Sequence, residues 1–323
     1  MFFINFFVER VSCPGCESKE NTTIYSCGFQ QQPIRQFLEH YYSQRISIEY
    51  FNEATYILDK CNNCGLIYQR EIPNDFLMKK LYQDWLNPKK KTGNYRDSAR
   101  LYAKLDYHAR NTREIMMLIA YFKVDPEKLH FLDAGMGYGS WCLMAKSFGV
   151  NVSGIELSRY LIELGKSRGL NVISWNELEE KRFDFINTEQ FFEHVGNPLE
   201  TLRYLKKSLK TNGLIKISVP DGGKLKRRLD VFGWTTQKST KNHLLLVHPL
   251  EHINCFNRFS VIQMAKLVGL KEVKMPIWLQ YIYSTNWRPV RRMIKNLFRP
   301  IYYNVLQKGT YLFFRRETGV VKR

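Results

Sequence analysis

The chain has 323 residues and a formal net charge of +19. With 44% hydrophobic and 24% charged residues it has the composition of a core-forming globular protein, which excludes a disordered chain and a staple-dependent miniprotein. Its longest unbroken apolar run, Ile115 to Phe122, is too short to span a bilayer as a helix.

The chain opens Met1-Phe-Phe-Ile-Asn-Phe-Phe-Val8, which lacks a basic leader and reads poorly as an export signal. Seven cysteines, an odd number, point to a reducing compartment, so a cytoplasmic location is expected. Two Cys-x-x-Cys pairs follow, Cys13-Pro-Gly-Cys16 and Cys61-Asn-Asn-Cys64. Each turn points two sulfurs at one centre. Two turns supply a tetrahedron of thiolates, for which Zn²⁺ is the usual occupant. Disulfides or a redox pair are the alternatives, but a redox pair wants a strand-to-helix junction that neither position offers. A closed four-sulfur site leaves no open position for substrate, so the expected zinc is structural. Cys27, Cys142 and Cys255 read as buried small hydrophobes. Residues 1–75 are therefore expected to form a zinc-binding module.

Residues 76–125 read as a helical linker or lid, with Ile115, Leu118, Ile119 and Phe122 on one stripe and Asp125-Pro126 as the break. From residue 126 strands and helices alternate. Strands are expected at His130–Ala134, Val150–Ile155, Leu170–Ser174, Phe183–Asn187 and Leu214–Val219. Helices are expected at 141–148, 159–168 and 198–209. Such alternation means a parallel sheet covered on both faces, an α/β fold. Thr310–Arg315 alternates as an edge strand that would close the sheet.

The turn after the first of these strands reads Phe131-Leu-Asp-Ala-Gly-Met-Gly-Tyr-Gly139. Gly135, Gly137 and Gly139 permit a sharp turn and close approach of a ligand. Glu156 ends the next strand, where a carboxylate lies over a ribose. A dinucleotide fingerprint would put a third glycine at position 140, which is Ser140. The extra acid Asp133 suits S-adenosylmethionine, whose ammonium needs acceptors, better than NAD.

These segments resemble the class I S-adenosylmethionine-dependent methyltransferases. Phe131–Gly139 resembles the first motif and Val152–Ser158 the second strand with its ribose acid. Phe183–Pro198, with Glu193-His194-Val195, resembles the fourth strand and the stretch after it. Asn212–Pro220 resembles the fifth strand, and His252 to Leu270 the helix before the sixth. The resemblance implies a Rossmann-like seven-stranded sheet, mostly parallel with an antiparallel last strand, in a domain spanning 126–323. It implies cofactor contacts from Asp133, Gly135, Gly137, Gly139, Glu156 and Gln190. A zinc-knuckle preface occurs on a branch that modifies sugars and other biosynthetic intermediates. Glu17 stands where that branch often has glycine, and the loop Trp175-Asn176-Glu177 lacks the usual adenine-holding acid.

Methyl transfer needs positioning above all, and a base only where the acceptor is a hydroxyl. His252 and His194 are the candidate bases, with His243, His248, Glu251 and Glu193 behind them. Phe191 and Asp221 have plain structural alternatives in packing and capping. Residues 221–323 carry 20 basic and 5 acidic side chains, nearly all the excess charge. One concentration is Lys224, Lys226, Arg227 and Arg228. The other is an insertion around 277–309, where Val290, Ile294, Leu297 and Ile301 make one helical face and Arg291, Arg292, Lys295 and Arg299 lie largely off it. A solvated surface, a phosphorylated sugar or other small-molecule acceptor, and peripheral contact with an anionic membrane all fit. RNA is an alternative acceptor, but no nucleic-acid module is present. A cofactor-binding protein without turnover is the alternative of another class.

Overall fold

A computed structural model describes residues 6–42, 46–86, 98–225, 229, 244–283 and 290–317. The strands are β1 Phe7–Glu9, β2 Asn21–Gly28, β3 Thr55–Cys61, β4 Ile67–Gln69, β5 Glu71–Pro73, β6 His130–Ala134, β7 Asn151–Ile155, β8 Asn171–Val172, β9 Phe183–Glu189, β10 Leu209–Ser218, β11 Asn254–Cys255, β12 Leu270–Val273 and β13 Tyr311–Arg316. The α-helices are α1 Ile34–Tyr41, α2 Asp75–Lys80, α3 Ser98–Phe122, α4 Ser140–Ser147, α5 Arg159–Ser167, α6 Pro198–Lys207, α7 Arg258–Leu267, α8 Ile277–Ile282 and α9 Val290–Pro300. The chain divides into two compact units, each assembled from separate stretches. One is Met1–Asn87, Gln190–Arg203 and Ser218–Gly269; the other is Pro88–Glu189, Tyr204–Ile217 and Leu270–Arg323. The boundaries read from sequence, at 75 and 125, are contiguous cuts, and the compact units are not. Long-range pairing joins stretches that local periodicity treats as separate.

The first unit holds a four-stranded sheet in the order β11-β4-β3-β2, and a small β1-β5 pair. Its core is aromatic: Phe7, Phe29, Phe51, Tyr56 and Trp85 are all buried. The Phe29 and Phe51 rings stack at 5.4 Å, a contact contributing about 0.5–1.5 kcal/mol beyond its area.

The second unit holds seven strands in the order β12-β13-β10-β9-β6-β7-β8. β6 runs parallel to both β7 and β9, and β12 pairs antiparallel with β13. This is the α/β, Rossmann-like sheet expected. Phe131, Trp141 and Phe185 pack together in its core. Two expectations are corrected. β13 is not an edge strand: it lies between β12 and β10, with Leu312, Phe313 and Phe314 buried, and β12 takes the edge. Leu209 does not end a helix but begins β10. Its burial belongs to the sheet, and the apolar spacing of α6 merely runs on into it.

Beneath this sheet lies a buried charge network invisible to periodicity. Lys216 of β10, 2% exposed at its side chain, meets Glu114 at 2.9 Å and Glu189 at 3.0 Å. Trp141 and Tyr311 also donate to Glu114. Burial pulls the Lys216 ammonium down, but Glu114 and Glu189 outweigh it and hold it above its ordinary range. Satisfying every member is what makes such a network tolerable in a core.

Candidate active site

β6 leads into the glycine turn. Gly135, Gly137 and Gly139 have φ of 78°, 53° and 70°, the left-handed region that glycine occupies freely. The turn closes through the Gly135 and Met136 amides, which donate to the Ile155 carbonyl at 2.9 and 3.0 Å. A Cβ on Gly139 would strike Leu170 at 2.4 Å, whereas one on Gly137 would meet nothing within 4 Å. Gly139 is thus required for packing, and Gly137 faces the open space a ligand would fill. Met136 turns inward and fills the room left by Gly154 and Gly165.

Glu156, just past β7, is held by three backbone amides. Oε2 accepts from Gly137 at 2.9 Å, and Oε1 accepts from Leu157 at 2.8 Å and Ser158 at 3.0 Å. A carboxylate has about four acceptor positions, so one on Oε2 stays open to an outside donor. Asp133 is 4% exposed. Its carboxylate accepts from Asn187 at 2.8 Å and from the Cys142 thiol at 3.6 Å. Burial raises its acid to about 6, against the hydrogen bonds from Asn187 and Cys142 and the charge of Lys216. Asp133 is therefore a packed member of the turn's underside. Gln190, the residue after β9, is exposed with φ 54° and donates its amide to Ser218. It belongs to the first unit, so the structure does not group it with the glycine turn. In the loop after β8, Glu177 accepts from the Ser174 amide and hydroxyl.

The helix of α3 was legible in sequence, but its polar residues near the turn were not. Arg110 lies 3.7 Å from Glu189 and over the Tyr107 ring at 5.5 Å. Burial, then the charges of Asp133 and Glu189, raise the Tyr107 phenol, with the Asn111 side chain and the charge of Arg110 opposing them. These polar groups interrupt the apolar stripe of α3, which was the available signal. A separate small hollow of about 40 Å³, with Arg113, Arg299, Tyr303 and Tyr311 in its wall, includes no residue of the glycine turn.

Residues 106–274 match a family described as a methyltransferase domain. The chain belongs to that family. With its seven-stranded sheet and glycine turn, it is an S-adenosylmethionine-dependent methyltransferase of the class I fold. Solved structures of similar fold include the plantazolicin methyltransferase BamL, bound to a triazolic desmethylPZN analog and SAH. It is 16% identical over 74% of this chain and 94% of that one, with a TM-score of 0.46. The plantazolicin methyltransferase BpumL, bound to SAH, is 14% identical over 73% of this chain and 91% of that one, with a TM-score of 0.44. PKMT2 from Rickettsia typhi, bound to AdoHcy, is 18% identical over 64% and 52%, with a TM-score of 0.41. No curated protein matches the methyltransferase in sequence.

The first unit holds the cysteines and the histidines. Cys13 and Cys64 are 3.6 Å apart at sulfur, Cys16 and Cys61 are 3.5 Å apart, and all four sulfurs lie within 4.8 Å of one another. A tetrahedral zinc with about 2.3 Å bonds has edges of about 3.8 Å, so the quartet fits. The knuckles match. The Glu17 amide donates to the Cys13 carbonyl and the Gly65 amide to the Cys61 carbonyl. Hydrogen bonding from Cys64 draws the Cys13 thiol down to about 6, while its partner is pushed up. Cys142 and Cys255 are buried as expected, but Cys27 is only half-buried.

His194 and His252 come together, rings 4.7 Å apart. Two buried groups and the half-buried Arg10 position them. Asn254 on β11 donates to the Phe192 and Val195 carbonyls at 3.0 and 2.7 Å. Gln69 on β4 donates to the His248 and His252 carbonyls at 3.0 and 3.2 Å. Arg10 reaches the Gln69 and Ile253 carbonyls and the Asn254 amide oxygen. Burial, with His248 adding, lowers the His252 imidazolium to about 4, so this ring is neutral at pH 7. His248 is buried with Nδ1 2.7 Å from the Pro249 carbonyl, and Asp221 caps the Gly223 amide at 3.0 Å. His243, Lys226, Arg227 and Arg228 lie outside the described residues.

Proposed function

We propose that this methyltransferase acts on a small-molecule or sugar acceptor, such as a polysaccharide or natural-product precursor, and that its cysteine quartet holds a structural Zn²⁺. The cysteine geometry carries the reading, because the resemblance to zinc-bearing sugar and biosynthetic methyltransferases rests on that preface. Cys13, Cys16, Cys61 and Cys64 would hold the metal, whose closed sulfur shell braces the fold and takes no part in transfer. Gly135, Gly137 and Gly139 would pass beneath the cofactor, and the open position on Glu156 would accept a ribose hydroxyl. Asp133 would support the turn from below, and Arg110 would face the methionine carboxylate.

The acceptor's proton is the task we assign to His252 and His194. Methyl transfer expels a neutral thioether, so the leaving group needs no acid, and only a hydroxyl acceptor needs help. The basic last third suits a phosphorylated acceptor, and the apolar face of α9 suits peripheral contact with an anionic membrane.

The test is methyl transfer from labelled S-adenosylmethionine to nucleotide-linked sugars, lipid-linked sugars and small phenols, run beside RNA. Labelling of a sugar or phenol supports the reading. Labelling confined to RNA overturns it, and tight cofactor retention with no labelled product would mark a binder without turnover.

A further inference from the structure

A second group of metal-type ligands lies apart from the cysteines. Glu193 and His194 end the short turn Phe192–His194, and His252 precedes β11. Each offers one ligand atom, and the three atoms lie within 4.8 Å of one another. Glu193 is 1% exposed.

The protons of both imidazoles are fixed by backbone. His194 Nδ1 lies 2.9 Å from the Glu251 carbonyl oxygen. A carbonyl only accepts, so Nδ1 carries the proton and Nε2 keeps the lone pair. His252 hydrogen bonds to the backbone of Leu245. Its Nδ1 is shielded from solvent with no hydrogen-bond partner. That bond therefore uses Nε2, and Nδ1 keeps the lone pair. Two imidazoles, each with one nitrogen spent on a backbone carbonyl, is the arrangement that orients metal-bound histidines. Leaving a shielded acceptor unmade otherwise costs about 1–3 kcal/mol.

We propose that Glu193, His194 and His252 bind one divalent transition-metal ion. Two nitrogens and one carboxylate suit Zn²⁺, Fe²⁺, Mn²⁺ or Co²⁺ and are poor ligands for Mg²⁺ or Ca²⁺, which take oxygen. With bonds near 2.1 Å the ligand atoms would sit about 3.0–3.4 Å apart, reached by small side-chain rotations. Three protein ligands leave positions open for an oxygen of the acceptor. Coordination there would make the acceptor's hydroxyl more acidic by lowering its pKa, so that its proton leaves to solvent, and the two histidines would act as ligands in place of taking that proton themselves. That use rests on the proposed hydroxyl acceptor; ion binding does not.

The experiment uses the full chain with zinc already on its cysteines, titrated with Co²⁺. One further Co²⁺ per chain should bind, showing d–d absorption without thiolate-to-metal charge transfer. His252→Ala and Glu193→Gln should each weaken that second ion at least tenfold while the first is retained. Wild-type protein that takes up cobalt only with thiolate bands overturns the proposal, whatever the variants do. So does a second ion whose affinity neither variant changes. Calorimetry of S-adenosylmethionine on the same samples reports separately on the methyltransferase reading, since loss of the ion should leave cofactor affinity unchanged.

Discussion

At the scale of single residues, Glu156 and Asp133 show how two acids near one turn acquire different tasks. Glu156 is pinned by three amides and keeps one acceptor position open. Glu156→Ala should weaken S-adenosylmethionine binding by about 1.5–3 kcal/mol, roughly 10- to 150-fold, for a charged hydrogen bond lost. Calorimetry on both proteins measures this, and equal affinities would remove Glu156 from the site. Asp133 is raised to about 6, chiefly by burial. A raised folded-state pKa means the fold binds its proton more tightly than the unfolded chain does. The associated stability is present below about pH 4 and lost as pH rises through about 6, some 3 kcal/mol in all. Asp133→Asn should therefore gain stability over wild type progressively between pH 4 and 7 in the cofactor-free protein. Denaturant titrations at several pH values check it; a pH-independent difference would mean the carboxyl stays ionised. Glu17 teaches a related lesson. It has φ 61° where the second knuckle has Gly65 at 72°, so the sequence's departure from glycine places a strained glutamate in the same turn.

Among elements, the central strands were legible because both faces are buried, which writes them as apolar runs between turn residues. β6, β7 and β9 fall where the sequence put them, and the glycine turn follows β6 as its spacing requires. β13 was recognised as a strand yet misplaced as an edge. Alternation reports which faces of one strand are buried, not which neighbours pair with it, and pairing with β12 and β10 is a long-range fact. The same limit hid the Lys216, Glu114 and Glu189 network, because a charge in sequence carries no sign that it is buried. The histidine pair was legible as residues but not as a cluster. Gln69 and Asn254, which hold its two segments, are polar residues whose partners no local sequence pattern reveals. Deleting residues 310–323 should therefore be as damaging as losing a central strand. It removes Leu312, Phe313 and Phe314 from the core and leaves both β10 and β12 with an unpaired edge. Insoluble expression is the expected result, and a soluble, cofactor-binding truncation would contradict the interior placement. The cysteine quartet should behave differently. Cys61→Ser should release about one zinc per chain and lower the melting temperature. Metal analysis and thermal unfolding would show it, and unchanged metal content would exclude the quartet as the zinc site.

For the molecule as a whole, the unsettled balance is between its charge and its exposed apolar surface. No helix among the described residues is long and apolar enough to cross a membrane. Yet α9 leaves Val290, Met293, Ile294, Leu297 and Phe298 between 40% and 66% exposed, and Ile301, Val305 and Leu306 continue the exposure. A stripe at i, i+3, i+4, i+7 and i+8 usually faces a core. Here it faces outward, in the third of the chain that carries 20 basic and 5 acidic residues. An apolar face within a basic segment matches the chemistry of an anionic bilayer, where acyl chains meet the face and headgroups meet the cations. Each basic residue near such a surface contributes about 1 kcal/mol, so the charge of this last third should favour anionic over neutral vesicles at low salt. The protein should therefore sediment with phosphatidylserine-containing vesicles, and far less with phosphatidylcholine alone. Binding should weaken as salt shortens the screening length. Ile294→Glu with Leu297→Glu should abolish it while leaving S-adenosylmethionine affinity unchanged, because both side chains are solvent-exposed and lie outside the glycine turn. Equal, negligible sedimentation with both vesicle types would overturn the membrane reading. Self-association in the absence of lipid that the double variant abolishes would assign the face to a second copy of the chain instead.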